Sequence, residues 1–131
     1  METGFRRPTP VQSQVIPCII EKRNVLVTAP TGTGKTLSFL IPILHTAKKS
    51  KFIKAVILVP LQELASQIIH ELSILSSGMN DLISYRCASQ INGNESNLIE
   101  QNRSPGFNIL VTTPMLFIQH FQGHHKILKH V

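Results

Sequence analysis

The sequence predicts an α/β fold, a parallel β-sheet with helices on both faces, and three observations carry that prediction. Short β-branched runs alternate along the chain with longer stretches of helical periodicity, the pattern of strands joined by right-handed crossovers. Those short runs are continuously apolar, as strands are when helices cover both sheet faces. A turn containing Gly32 and Gly34 falls between one such run and the helix that follows it, where a helix N-terminus can face a ligand.

The elements follow in order. Pro8-Thr9-Pro10 opens the first helix, with Thr9 as its N-cap and Pro10 in its first turn. Val11, Val15, Ile16, Ile19 and Ile20 recur there at helical spacing. Residues 24–28, with Val25, Leu26 and Val27, read as a buried strand that Gly32 and Gly34 break, and residues 35–48 read as a helix. Residues 55–59 form a second apolar run. Residues 61–75 give a strong helix with Leu64, Ile68, Leu72 and Leu75 on one face. A third strand is expected over 82–88, a polar loop over 92–97, and a short helix near Leu98. Residues 108–112 read as a fourth strand, and 115–121 start a last helix.

The chain is long enough for one domain: 131 residues, 42% hydrophobic and 15% charged, which favours a globular fold over disorder. Thirteen Lys and Arg against seven Asp and Glu leave a formal charge of +6, compatible with a polyanionic partner. Cys18 and Cys87 are too few for a disulfide framework. Both lie in apolar surroundings and read as buried free thiols, which fits a reducing, intracellular setting. The first ten residues lack the apolar run of a signal peptide. The most apolar stretch, 37–44, is too short to span a bilayer, so no membrane partner is expected.

The strongest chemical signal is Ala29-Pro30-Thr31-Gly32-Thr33-Gly34-Lys35-Thr36. A triphosphate sheds its hydration on binding, and successive backbone N–H groups replace that hydration when a loop curls around the phosphates. Gly32 and Gly34 permit the dihedrals and close approach this needs. The next helix aims its free N–H groups and positive dipole end at the same place. Lys35 supplies a charge for the outer phosphates, and the Thr36 hydroxyl can ligand Mg²⁺. A nucleoside triphosphate and Mg²⁺ are therefore the expected ligands. Ala29 departs from the general pattern, which begins with glycine, but the spacing of Gly34-Lys35-Thr36 is intact.

Four segments in order make the chain resemble the first RecA-like domain of DEAD-box RNA helicases. Gly4-Phe5 with Pro8-Thr9-Pro10-Val11-Gln12 is similar to the Q motif (4–12), and 29–36 to the phosphate loop. Pro60-Leu61-Gln62-Glu63-Leu64-Ala65-Ser66-Gln67 resembles motif Ia, and Ile109-Leu110-Val111-Thr112-Thr113-Pro114 leads into a segment like motif Ib (113–117). The resemblance implies that Gln12 hydrogen-bonds the adenine edge through its amide and that Phe5 stacks on the base. It implies ATP with Mg²⁺ as the cofactors, with phosphate and magnesium contacts from Ala29 and residues 31–36. It also implies RNA contacts from Pro60, Gln62, Glu63, Thr113 and Pro114. The run 107–114 resembles a branch linked to ribosome assembly, which adds ribonucleoprotein partners and a nuclear or nucleolar setting.

The sequence departs from the family in three places. Leu61 and Gln62 stand where motif Ia carries Thr-Arg, and Met115 and Leu116 where motif Ib carries Gly-Arg. An arginine offers charge and a donor fork to phosphate, and leucine offers neither, so weakened RNA binding is expected. The chain also ends before the Asp-Glu-Ala-Asp motif; Asp81 is its one aspartate, and no two acidic residues are adjacent. Hydrolysis needs a carboxylate on Mg²⁺ and a group that orients water. No catalytic residue is assigned, and little or no ATPase or helicase activity is expected from these residues alone. Whether the chain is a fragment, a partial gene model or a degenerate copy stays open. An incomplete sheet with exposed apolar strand edges is the expected consequence.

Two further clusters read as solvated surface. His120, His124, His125 and His130 read as a basic tail, not a zinc site. Lys48, Lys49, Lys51 and Lys54 read as a basic loop.

Overall fold

Three of the four apolar runs become strands. In a computed structural model, which describes residues 7–47, 50, 52–78 and 83–131, β1 is Ala55–Leu58, β2 is Tyr85–Cys87 and β3 is Ile109–Thr112. All are parallel, in the order β1-β3-β2, with Ile57 beside Val111 and Arg86 beside Leu110. The central strand is the most apolar run, and all four of its residues are fully buried. Side chains alternate across a strand. Leu110 turns into a cluster with Ile53, Ala88, Ile99, Phe107, Phe121 and Ile127, and Ile109 and Val111 turn to the other face.

The helices are α1 (Pro10–Ile20), α2 (Lys35–Ala47), α3 (Gln62–Ser76), α4 (Gly93–Glu100) and α5 (Pro114–Phe121). Two compact units divide them: Met1–Thr46 and Ala47–Val131. The second unit holds the whole sheet. Its α3 buries Ala65, Leu72 and Leu75, whereas Leu64 is 37% exposed, so the buried stripe is rotated from the expected one. The helix near Leu98 begins earlier than expected. Asn92 caps α4 by accepting the Glu95 N–H at 2.8 Å, which converts much of the polar loop into its first turn.

Asn108, buried immediately before β3, clamps this unit. Its Nδ2 donates to the carbonyls of Ala47 (3.0 Å) and Ser50 (3.1 Å), and its Oδ1 accepts the Ser84 N–H (3.1 Å). The histidine-rich end is not a solvated tail. Residues His125–Leu128 form a 3₁₀ turn, Ile127 enters the core cluster, and the His130 ring stacks on Phe52 at 4.0 Å. Ile127, with Leu128 packed against the same cluster, anchors the turn.

In the first unit Thr9 caps α1 as expected, in a reciprocal capping box with Gln12. Residues 24–28 do not form the expected strand. They carry no ladder partner among the described residues, and Leu26 is 95% exposed. A strand requires a hydrogen-bonded neighbour, and the three strands described pair only with one another. Cavities of about 420 and 480 Å³ flank this segment, the second reaching Lys35, Ser38 and Phe39. Cys87 is buried, but Cys18 is only half-buried, its thiol donating to the Gln14 carbonyl at 3.3 Å. Phe5, Lys48, Lys49, Lys51 and Asp81 lie outside the described residues.

Candidate functional site

The glycine turn has the shape its composition predicts. Gly32 and Gly34 adopt φ of +79° and +83°, the left-handed region that side chains disfavour. Thr33 ties the turn together by donating from its hydroxyl to the Pro30 carbonyl at 2.6 Å. The Gly34 carbonyl accepts the Ser38 N–H at 3.2 Å and so starts α2. Lys35 and Thr36 open that helix, and the Ser38 hydroxyl bonds back to the Lys35 carbonyl.

Gln12 joins this loop from α1. Its Oε1 accepts the Thr9 N–H at 3.0 Å and its Nε2 donates to the Gly34 carbonyl at 3.3 Å. Each amide atom keeps one further hydrogen-bonding capacity. The approach requires glycine at 34, because a Cβ there would lie 2.4 Å from Gln12 Nε2.

The loop fits a phosphate and its metal. A Cβ at Gly32 would meet nothing within 4 Å, so the loop's outer side is open. Thr31, Gly32 and Thr36 are exposed, and Ala29, Thr33, Gly34 and Lys35 half-buried. The Thr36 hydroxyl is an oxygen donor of the kind Mg²⁺ takes, and the bound metal would neutralise phosphate charge.

A second group of expected residues collects in the other unit, at the carboxyl ends of the strands. Pro60 follows β1 and Thr113 follows β3, and the pairing of Leu58 with Thr112 sets these two exits side by side. Pro60 and Glu63 are exposed, Thr113 precedes α5 as its N-cap residue, and Pro114 fills its first position. Gln62 turns inward, donating from Nε2 to Cys87 Sγ (2.9 Å) and Ser89 Oγ (2.8 Å). This links α3 to the turn Ala88–Gln90 after β2. Sequence reading missed Ser89, whose only signal was a polar break after an apolar run. Leu116 is half-buried and packs against the Leu110 cluster.

Among the described residues no group of three His, Cys, Asp or Glu side chains could hold a metal ion. No helix among them is long and apolar enough to cross a membrane.

The chain is similar to known proteins. The family model "DEAD/DEAH box helicase" matches residues 9–131. The "Probable ATP-dependent RNA helicase DDX52" of Bos taurus is 42% identical over 116 residues, covering 87% of this chain and 19% of that protein. The "Probable ATP-dependent RNA helicase ddx52" of Dictyostelium discoideum is 38% identical over 120 residues, covering 89% and 17%. The crystal structure of the yeast DEAD-box splicing factor Prp28 superposes with a TM-score of 0.73 at 34% identity, over 99% of this chain and 32% of that one. The chain thus spans about a fifth of the length of these two relatives.

Proposed function

The chain belongs to the DEAD/DEAH box helicase family, and on that premise we propose that it is the ATP-binding portion of a helicase that couples ATP to RNA duplex remodelling. Its first RecA-like domain would run through 1–131, with the Q motif at 4–12, the phosphate loop at 29–36, and RNA-facing segments at 60–67 and 113–117. The observation that carries this reading is the bond from Gln12 Nε2 to the Gly34 carbonyl. It joins the residue expected to read adenine to the loop expected to hold the phosphates.

The roles follow from chemistry. Phe5 stacks on adenine and the remaining capacity of the Gln12 amide bonds its edge. The backbone from Ala29 to Thr36 cradles the phosphates, Lys35 pairs with the outer ones and Thr36 ligands Mg²⁺. Pro60, Glu63, Thr113 and Pro114 face RNA, and Gln62 reaches it only by leaving its bonds to Cys87 and Ser89. The contact is weak because Gln62 and Leu116 stand in place of arginines. The likeness of 107–114 to a ribosome-assembly branch supports a ribonucleoprotein substrate and a nuclear or nucleolar setting.

Calorimetric titration of Mg-ATP tests the nucleotide reading. Lys35→Ala weakens binding at least about tenfold, a loss of roughly 1.4 kcal/mol, and GTP competes poorly until Gln12 is changed to Ala. Equal affinity of the Lys35→Ala chain sinks the proposal. A second reading, a non-hydrolysing nucleotide- or RNA-binding module, draws on the absence of any adjacent acidic pair in the sequence. Lys35-dependent phosphate release from this chain would reject it.

A further inference from the structure

The second unit carries a cleft at the end of the sheet away from the segments assigned above. Phe52 sits three residues before β1, and Asn102 and Ser104 lie on the approach to β3. Both therefore stand at the amino ends of parallel strands, whereas Pro60 and Thr113 follow the carboxyl ends. Phe52, Asn102, Ser104, Lys126, Lys129 and His130, on a floor of Ile127, enclose about 200 Å³.

Three features of the cleft point to one ligand chemistry. Phe52 is 44% exposed although His130 stacks on it with the rings inclined by 29°, so an aromatic surface remains open. Lys126 and Lys129 are both exposed; Lys126 lies in the 3₁₀ turn and Lys129 caps it, its N–H donating to the Lys126 carbonyl at 3.3 Å, which places the two on one side. Among the described residues no carboxylate lines the cleft. An open aromatic face beside paired cations suits a planar base joined to a phosphate. Unstacked nucleotides are held on aromatic rings and basic side chains in this way. An acidic peptide would use the lysines and leave the ring without a partner.

We infer that this cleft is a second RNA contact that takes one unstacked nucleotide of a single strand. The base lies against the Phe52–His130 stack and its phosphate between Lys126 and Lys129. The inference rests on the reading of the chain as RNA-binding. It supplies cationic contacts at the opposite end of the unit from the edge where the expected arginines are missing.

Photocrosslinking locates the contact. The chain is irradiated with a 4-thiouridine-substituted single strand of about ten nucleotides, and the adducts are mapped by peptide mass spectrometry. Adducts on Phe52 or on residues 126–130 are expected. Lys126→Gln with Lys129→Gln should lower the salt dependence of strand affinity by about one to two counterions. Phe52→Leu should weaken the strand about tenfold and leave an abasic strand unaffected. Should Phe52→Leu fail to fold, the exposed lysine pair decides. Adducts confined to 60–67 and 113–117, with affinity unchanged by the lysine pair, overturn this site and leave the RNA reading standing. No adduct anywhere overturns both. Binding of uridine monophosphate in the cleft without strand binding overturns the RNA source.

Discussion

Gln12 Nε2 lies 3.3 Å from the carbonyl oxygen of Gly34, which also accepts the Ser38 N–H that starts α2. One carbonyl thus receives a helix and a distant side chain together. Gln12 meanwhile completes the cap of its own helix through Oε1. The two roles use opposite ends of one amide, so they can be separated by substitution.

Gln12→Glu separates them. A carboxylate still accepts the Thr9 N–H, so the capping box survives and α1 keeps the roughly 1 kcal/mol that such caps contribute. It cannot donate to the Gly34 carbonyl and sets two acceptors face to face. Mg-ATP affinity should fall about tenfold or more while helical circular dichroism stays unchanged. Gln12→Ala should lose both, and equal ATP affinity in all three proteins would show the link to be incidental.

Gln62→Arg should tighten RNA binding, but against a cost. The native amide donates to Cys87 and Ser89, and its buried Oε1 has no hydrogen-bond partner among the described residues. Arginine removes that orphaned acceptor and adds a phosphate-seeking fork. Strand affinity should rise a few-fold, and the salt dependence should steepen by about one counterion. Leu116→Arg makes a poorer test, because Leu116 packs on the core cluster. Unchanged RNA affinity of the Gln62→Arg chain counts against the edge at 60–67.

Asn108→Ala should be the most damaging polar change. It leaves the carbonyls of Ala47 and Ser50 and the N–H of Ser84 without this partner. The Ala47 carbonyl still accepts the Ser50 N–H at 3.3 Å, but the Ser50 carbonyl and the Ser84 N–H lose the bond Asn108 gives them. Buried groups left unpaired cost about 1–3 kcal/mol each, so a loss of at least about 2 kcal/mol is expected in urea unfolding. Asn108→Asp, which keeps the acceptor for Ser84 only, should fall between. A midpoint unchanged by Asn108→Ala would refute the clamp.

The two thiols should differ in access. Cys87 is 3% exposed and lies against Gln62 and Ser89, whereas Cys18 is half-buried beside Arg23. A maleimide should label Cys18 promptly in the folded chain and Cys87 only after denaturant is added. Equal labelling rates would contradict the burial of Cys87.

What the sequence determined by itself is local or patterned over short spans. The Thr9–Gln12 cap, the positive-φ glycines at 32 and 34, the helix after Lys35 and the apolar run of β3 each follow from neighbours in the chain. The loop motif was legible for the same reason, since its chemistry is written in eight consecutive residues. Only the tertiary structure decided which apolar runs pair. Residues 24–28 match the others in composition but have no ladder partner among the described residues, and no local signal distinguishes them. It also decided where Gln12, Gln62 and Asn108 aim their amides. Those bonds join residues 22, 25 and 61 positions apart. Ile127 illustrates the same limit: in sequence it sits within a run of histidines and lysines, and only packing makes it part of the core.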